Sequence, residues 1–321
     1  MDVFVEWAAQ LVALAALLFL IAGLLAPFET LGWWAGWSRR WPDPVSLPAL
    51  PDPAPPTMGA EPTCYLVYLT GVGVTDADRL TPKEQNFLDM LAARLPQAAL
   101  MRNIFPYSAV NNPLTGRRRL RRFWHWMGQA IRQPITKNLY HIVALRNVLQ
   151  VAVSADRRYG PVFNFGVARG IVLSLLRRGY RVGSAAPVVL IGLSGSGQIA
   201  VGSGAVVRRL LSVPVWVVSV GGVLTSDPGI LDIEHVFHLS GSRDHTQYVG
   251  MALYPGCWPI VRGSSWNRAL AQGRRTVIAV GPMKHMSHGD YFSRSSTLPS
   301  GESHVERTVA VIAECVEQIG R

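Results

Sequence analysis

Residues 187–200, PVVLIGLSGSGQIA, decide how the chain is read. Val188 to Ile191, with Pro187 before them, form a short apolar and β-branched run that reads as a buried strand. Gly192-Leu193-Ser194-Gly195-Ser196-Gly197 follows as a glycine-rich turn, and Gln198-Ile199-Ala200-Val201 opens a helix of small residues. Strand, sharp turn and helix with a serine at the apex make the setting of a nucleophile elbow. Such a turn lifts the hydroxyl clear of the sheet and places the first amide of the helix beside it. Larger side chains at the flanking glycines would collide with strand or helix.

The same turn admits other readings. Gly192 and Gly197 have the glycine spacing of a phosphate-binding loop, but Gln198 and Ile199 stand where Lys and Ser/Thr are needed. Gly195-Ser196-Gly197-Gln198-Ile199-Ala200 fits G-x-G-x-x-A, a dinucleotide fingerprint. That fingerprint wants an acid at the end of the next strand, where this chain has Ser219-Val220-Gly221-Gly222. A tight turn without chemistry is the plainest alternative.

Gly192-Leu193-Ser194-Gly195-Ser196 resembles the G-x-S-x-G elbow of the α/β-hydrolase superfamily, with Ser196 in place of the last glycine and Gly197 just after it. Two serines so close leave the nucleophile formally ambiguous; Ser194 is favoured because it follows the strand at the expected distance. The resemblance covers roughly residues 63–320. It implies an α/β fold, a mostly parallel sheet of about six strands flanked by helices. It also implies acyl-group hydrolysis by Ser194, Asp244 and His285, which follow the superfamily's Ser–acid–His chain order. Asp227 and His288 are the alternate acid and base. The implied oxyanion donors are the amides of Gly195 and Val72, with Gly73 the alternate to Val72. No metal or organic cofactor is expected.

The remaining elements fall into place around the elbow. Strands are expected at 64–70, 98–105, 213–220, 235–240 and 276–280, each rich in apolar and β-branched residues. Gly71-Val72-Gly73 ends the first. Thr81-Pro82-Lys83-Glu84 opens a helix with a capping box and proline at its first position. Phe87, Leu88, Leu91 and Leu95 line one face of it. A helix over 162–180 is expected to stop at Gly179. Gly241-Ser242-Arg243-Asp244 follows the 235–240 strand, and Gly281-Pro282-Met283-Lys284-His285 follows the last one. A closing helix starts at the capping box Ser303-His304-Val305-Glu306.

The ends of the chain carry a different signal. The sequence has 321 residues, 49% of them hydrophobic and only 16% charged, which leans towards a membrane-associated protein. Residues 7–28 hold no charged side chain; as a helix they span roughly 30 Å, one hydrocarbon core. Asp2 and Glu6 precede the run where a cleaved signal peptide wants positive charge, so a retained anchor is expected over 1–41. Trp33, Trp34, Trp37 and Trp41, with Arg39 and Arg40, read as an interfacial belt, with a hydrophobic collar on the folded domain as the alternative. The arginine pair places the following bulk in the cytoplasm by the positive-inside rule. Prolines at 42, 44, 48, 51, 53, 55, 56 and 62 make 42–62 a semi-rigid linker. The hydrolase-like domain is expected over 63–321, with a basic aromatic insert near 106–160.

Within that insert Arg117, Arg118, Arg119, Arg121 and Arg122 run into Phe123, Trp124, His125 and Trp126. A helix of this composition suits an anionic bilayer, arginines to headgroups and indoles to the acyl boundary, or a lid over the site. The net charge, 31 − 20 = +11, is almost all arginine and fits the same surface. No nucleic-acid module is legible, so no nucleic-acid partner is expected. Cys64, Cys257 and Cys315 are too few and too scattered for a disulfide framework or a zinc site. The expectation is a membrane-tethered serine hydrolase with a lipid bilayer as partner and an acyl ester or thioester as substrate. A nucleotide-binding (NAD(P)) membrane protein using GSGQIA, and a catalytically dead hydrolase-fold interaction module, are the alternatives.

Overall fold

Short apolar runs separated by amphipathic helices can bury themselves only by lying side by side with helices on both faces. The computed structural model of the chain describes residues 2–35, 61–116, 120–133, 135–286 and 288–319. It has helices α1 (Asp2–Leu25) and α2 (Phe28–Trp34), then strand β1 (Cys64–Leu69), α3 (Pro82–Arg94) and β2 (Ala98–Ile104). The insert supplies α4 (Arg121–Ala130) and α5 (Tyr140–Ala155), and α6 (Gly160–Arg177) leads to β3 (Val188–Leu193). There follow α7 (Ser196–Leu211), β4 (Val215–Val220), β5 (His235–Gly241), α8 (Val249–Leu253), α9 (Ser265–Ala271), β6 (Arg275–Gly281) and α10 (His304–Ile319).

The six strands form one sheet in the order β2-β1-β3-β4-β5-β6, and every neighbouring pair is parallel. The chain steps from β1 outwards to β2, returns across β1 to β3, and then advances steadily to β6. Right-handed crossovers therefore put α3 on one face and the helices of the later units on the other. Two apolar layers result. Phe87, Leu88 and Leu91 of α3 join Val309, Ile312 and Val316 of α10 against one face. Phe163, Val167 and Ile171 of α6 join Ile199, Val201 and Val207 of α7 against the other. This is the α/β-hydrolase-like architecture. The direction of travel reverses between β1 and β3, and a site is expected at such a switch point, beyond the carboxyl ends of the strands.

The caps read from sequence are present. Thr81 and Glu84 form the box that opens α3, Ser303 and Glu306 exchange the equivalent bonds before α10, and Gly179 ends α6 at φ +89°.

The N-terminal region departs from expectation in one respect. Val5–Trp34 is long and apolar enough to cross a membrane, with mean hydropathy 2.7. However, the segment assigned to 1–41 does not stand apart from the domain. After a break at Ala26-Pro27, α2 lies on α6. Trp33, expected among interfacial indoles, is 1% exposed and stacks on Phe165 with ring centroids 6.4 Å apart. An indole beside an apolar helix groove buries more surface there than at a headgroup layer, and this site is available because Gly166 leaves room for the ring. Trp34 remains half exposed. Trp37, Trp41, Arg39, Arg40 and nearly all of the proline-rich 42–62 stretch lie outside the described residues, as do Arg117, Arg118 and Arg119.

Candidate active site

The elbow forms because β3 ends in a residue that must turn sharply. Ser194 has φ +58°, a left-handed backbone that a serine adopts only at a cost of about 1–3 kcal/mol. The surroundings hold it there. Ser194 N–H donates to the Val220 carbonyl at 3.0 Å, and its own carbonyl accepts from Gly197 and Val223. Gly192 is required by close approach, since a Cβ there would sit 2.7 Å from the Gly197 Cα. The strained turn presents the Ser194 hydroxyl to the next loops of the sheet.

Ser194 Oγ lies 2.7 Å from His285 Nε2. His285 Nδ1 lies 2.9 Å from both carboxylate oxygens of Asp244. The serine follows β3, the acid follows β5 and the histidine follows β6, so three distant segments meet at one end of the sheet. With Nδ1–H donating to the carboxylate, Nε2 is left with its lone pair towards the serine hydroxyl.

Asp244 has no exposed side-chain surface. Burial pushes its pKa up, but hydrogen bonds from His285, Tyr291 and the Gln247 N–H outweigh that, and the carboxyl is held below its ordinary range. Tyr291 is the member that sequence reading missed. Its hydroxyl donates to Asp244 Oδ2 at 2.9 Å and accepts from the Gly241 N–H at 2.8 Å. Burial, then the neighbouring Asp244 charge, raise its own pKa, so it remains a donor. The loop HGDYFS around it carries no pattern that marks such a role. The turn is also tight here: a Cβ on Gly221 (φ +52°) would fall 2.6 Å from the Tyr291 ring and 2.7 Å from Asp244 Oδ2.

The alternates are placed elsewhere. Asp227 is not beside the histidine; it accepts from the Gln198 amide at 2.8 Å and from the Gly229 N–H at 2.8 Å, and burial raises its pKa to about 6. His288 is exposed, and His285 occupies the position next to Ser194. Ser196 is fully buried, with its hydroxyl donated to the carbonyls of Leu69 and Leu193 at 2.7 and 2.8 Å. Its hydroxyl is therefore committed to the backbone, whereas that of Ser194 faces His285. The rest of the G-x-G-x-x-A run is turned inward: Gln198 has no exposed surface and also accepts from Thr225 N–H and hydroxyl.

The turn after β1 sits against the elbow. A Cβ added to Gly195 would lie 3.0 Å from the Val72 side chain and 2.8 Å from Val151 of α5. Among the described residues neither the Val72 nor the Gly195 amide donates to a protein acceptor. Gly73 is turned instead towards the Tyr140 ring at the start of α5. Asn147 of α5 holds this turn, its amide donating to the carbonyls of Val72 and Val74 at 2.8 and 2.9 Å. The insert thus lies over the site, and the Tyr140 hydroxyl reaches Met286, next to His285. In α4, Phe123 and Trp126 are exposed beside Arg121 and Arg122, while Trp124 packs part-buried against the core. Among the described residues no cluster of His, Cys, Asp and Glu has the makings of a metal site.

No protein-family model and no curated protein sequence matches the chain. Among solved structures it is similar to a dienelactone hydrolase-like promiscuous phosphotriesterase from metagenomic libraries, with 11% sequence identity and a TM-score of 0.45, over 81% of this chain and 88% of that one.

Proposed function

We propose that the chain is a membrane-tethered serine hydrolase that cleaves a carboxylic ester or thioester of an acyl, lipid-like substrate. One observation carries the reading: a serine on a left-handed elbow shares a 2.7 Å contact with an imidazole whose other nitrogen faces a buried carboxylate at 2.9 Å. In this mechanism His285 Nε2 takes the proton of Ser194 as its Oγ attacks the substrate carbonyl. Asp244 stays ionised and stabilises the imidazolium. The carbonyl oxygen gains its negative charge between the amides of Val72 and Gly195. Collapse expels the alcohol or thiol, which receives the proton from His285. Water, deprotonated by His285, then releases the carboxylic acid and frees Ser194.

The lipid-like substrate rests on different features. Val5–Trp34 is long and apolar enough to cross a membrane, with no charged side chain over 7–28. Arg121 and Arg122 precede the exposed rings of Phe123 and Trp126 in α4, and α4 belongs to the same insert that lies over the site. The bilayer is the partner this surface suits. Arg39 and Arg40 after the apolar run favour a cytoplasmic orientation of the domain by the positive-inside rule.

Labelling the full chain with a fluorophosphonate probe, native against Ser194→Ala, tests the enzyme. Labelling of the native protein alone is expected. Folded native protein that takes no label would return the chain to the dead-scaffold or nucleotide-binding readings. Hydrolysis of p-nitrophenyl esters of increasing chain length tests the substrate, and a strict preference for short soluble acyl groups would argue against a lipid-like one.

A further inference from the structure

The N-terminal segment does more than tether. We infer that Glu29, in α2, is a positioning residue for the oxyanion turn and acts on it through Arg146 and Asn147 of α5. The inference rests on the serine-hydrolase reading above. The carboxylate of Glu29 accepts from the Arg146 guanidinium at 3.0 Å and from the Ser108 hydroxyl at 2.8 Å. The pair is largely buried, with 15% and 19% of the two side chains exposed. The other guanidinium nitrogen of Arg146 donates to the Tyr107 carbonyl at 2.6 Å and to the Asn147 side-chain oxygen at 3.0 Å. Asn147 in turn donates to the carbonyls of Val72 and Val74, and the Tyr107 hydroxyl donates to the Thr70 carbonyl at 2.7 Å.

Peptide planarity gives this chain of contacts its consequence. The peptide that carries the Val72 N–H joins Gly71 to Val72. It lies between the Thr70 carbonyl, held by Tyr107, and the Val72 carbonyl, held by Asn147. Fixing the planes on both sides leaves that N–H little freedom to rotate away from the site. Both pins lead to Arg146: one through the Asn147 side chain, the other through the backbone of Tyr107. Arg146 is oriented by a carboxylate from the N-terminal segment. The guanidinium reaches the carboxylate with one terminal nitrogen and the two other oxygens with the second, a planar spread that the single nitrogen of an ammonium does not reproduce. A misplaced donor costs transition-state stabilisation without weakening ground-state binding.

The test uses the full chain in detergent or nanodiscs, with p-nitrophenyl ester hydrolysis, a trifluoromethyl ketone that forms a tetrahedral adduct on Ser194, and thermal melts. Glu29→Ala and Arg146→Lys are expected to lower kcat about tenfold with KM changed less than about twofold. Trifluoromethyl ketone affinity should weaken by the same factor as kcat/KM. Glu29→Gln keeps an acceptor for the guanidinium and should recover part of the loss; should Glu29→Ala not fold, Glu29→Gln and Arg146→Lys carry the comparison. Wild-type kcat in folded variants would overturn the inference, and so would a loss of kcat that leaves ketone affinity unchanged. Absence of Ser194 labelling in the native protein sinks the hydrolase reading and this inference with it; labelled native protein with fully active variants sinks this inference alone.

Discussion

Ser194, Asp244 and His285, whose side chains the fold brings together, each sit within four residues past a strand, and strands are the most legible elements of this chain. Their companions were not legible in this way. Tyr291 and Asn147 reach the site only through tertiary packing, and a tyrosine or asparagine in such a setting looks like any other. Ser196 looked like a flaw in the motif, whereas its hydroxyl ties the end of β1 to the end of β3. Asp244→Asn sets an amide N–H donor beside His285 Nδ1 and removes the charge that steadies the imidazolium, so kcat should fall by about 10⁴ while the protein still folds; steady-state ester hydrolysis with a melt as control checks this. Tyr291→Phe takes one hydrogen bond from the Asp244 carboxylate and one from the Gly241 N–H. The carboxyl pKa should rise towards its ordinary value, and stability should fall by about 1–2 kcal/mol. Denaturant titration at neutral pH reads that change, and an unaltered midpoint would show the hydroxyl to be idle.

Strands, caps and the helix before the elbow were foreseeable from apolar periodicity and capping residues. The placement of α2 and α5 was not, because their apolar residues serve two environments and period alone does not say which face meets the domain. Trp33 is the sharpest example: as one of four neighbouring tryptophans it suggested a headgroup layer, yet it fills a groove on α6. Trp33→Ala should cost about 3–5 kcal/mol, measurable as a large drop in melting temperature. A second test concerns β5. His238 is buried between the Ser219 hydroxyl and the Gln247 amide oxygen, and burial pushes its pKa down to about 4. An unfolded histidine titrates near 6.5, so between these values the unfolded chain binds more protons than the folded one. Stability is therefore lost as pH falls from about 6.5 through 4, by up to about 3 kcal/mol. Urea midpoints at pH 7 and pH 5 should separate in the native protein and lie closer together in His238→Gln; an equal separation in both would assign the slope to other groups.

For the molecule as a whole, the sequence pointed to an apolar anchor, a linker and a domain, and the structure joins the first to the last ahead of the linker. If α1 sits in a bilayer, the protein should remain in the pellet through high-salt and carbonate washes and enter solution only with detergent; release by salt alone would reduce α1 to a surface helix. The packing of Trp33 and Glu29 on α6 and α5 has a mechanical consequence as well. With α1 in a bilayer, a domain hung on a proline-rich tether could sweep a hemisphere of solvent, whereas one clamped at the last turns of such a helix keeps nearly constant altitude and tilt. Turnover would then be set by which acyl chains drift laterally to that fixed spot, and lengthening the 42–62 stretch would leave the reach of Ser194 unchanged.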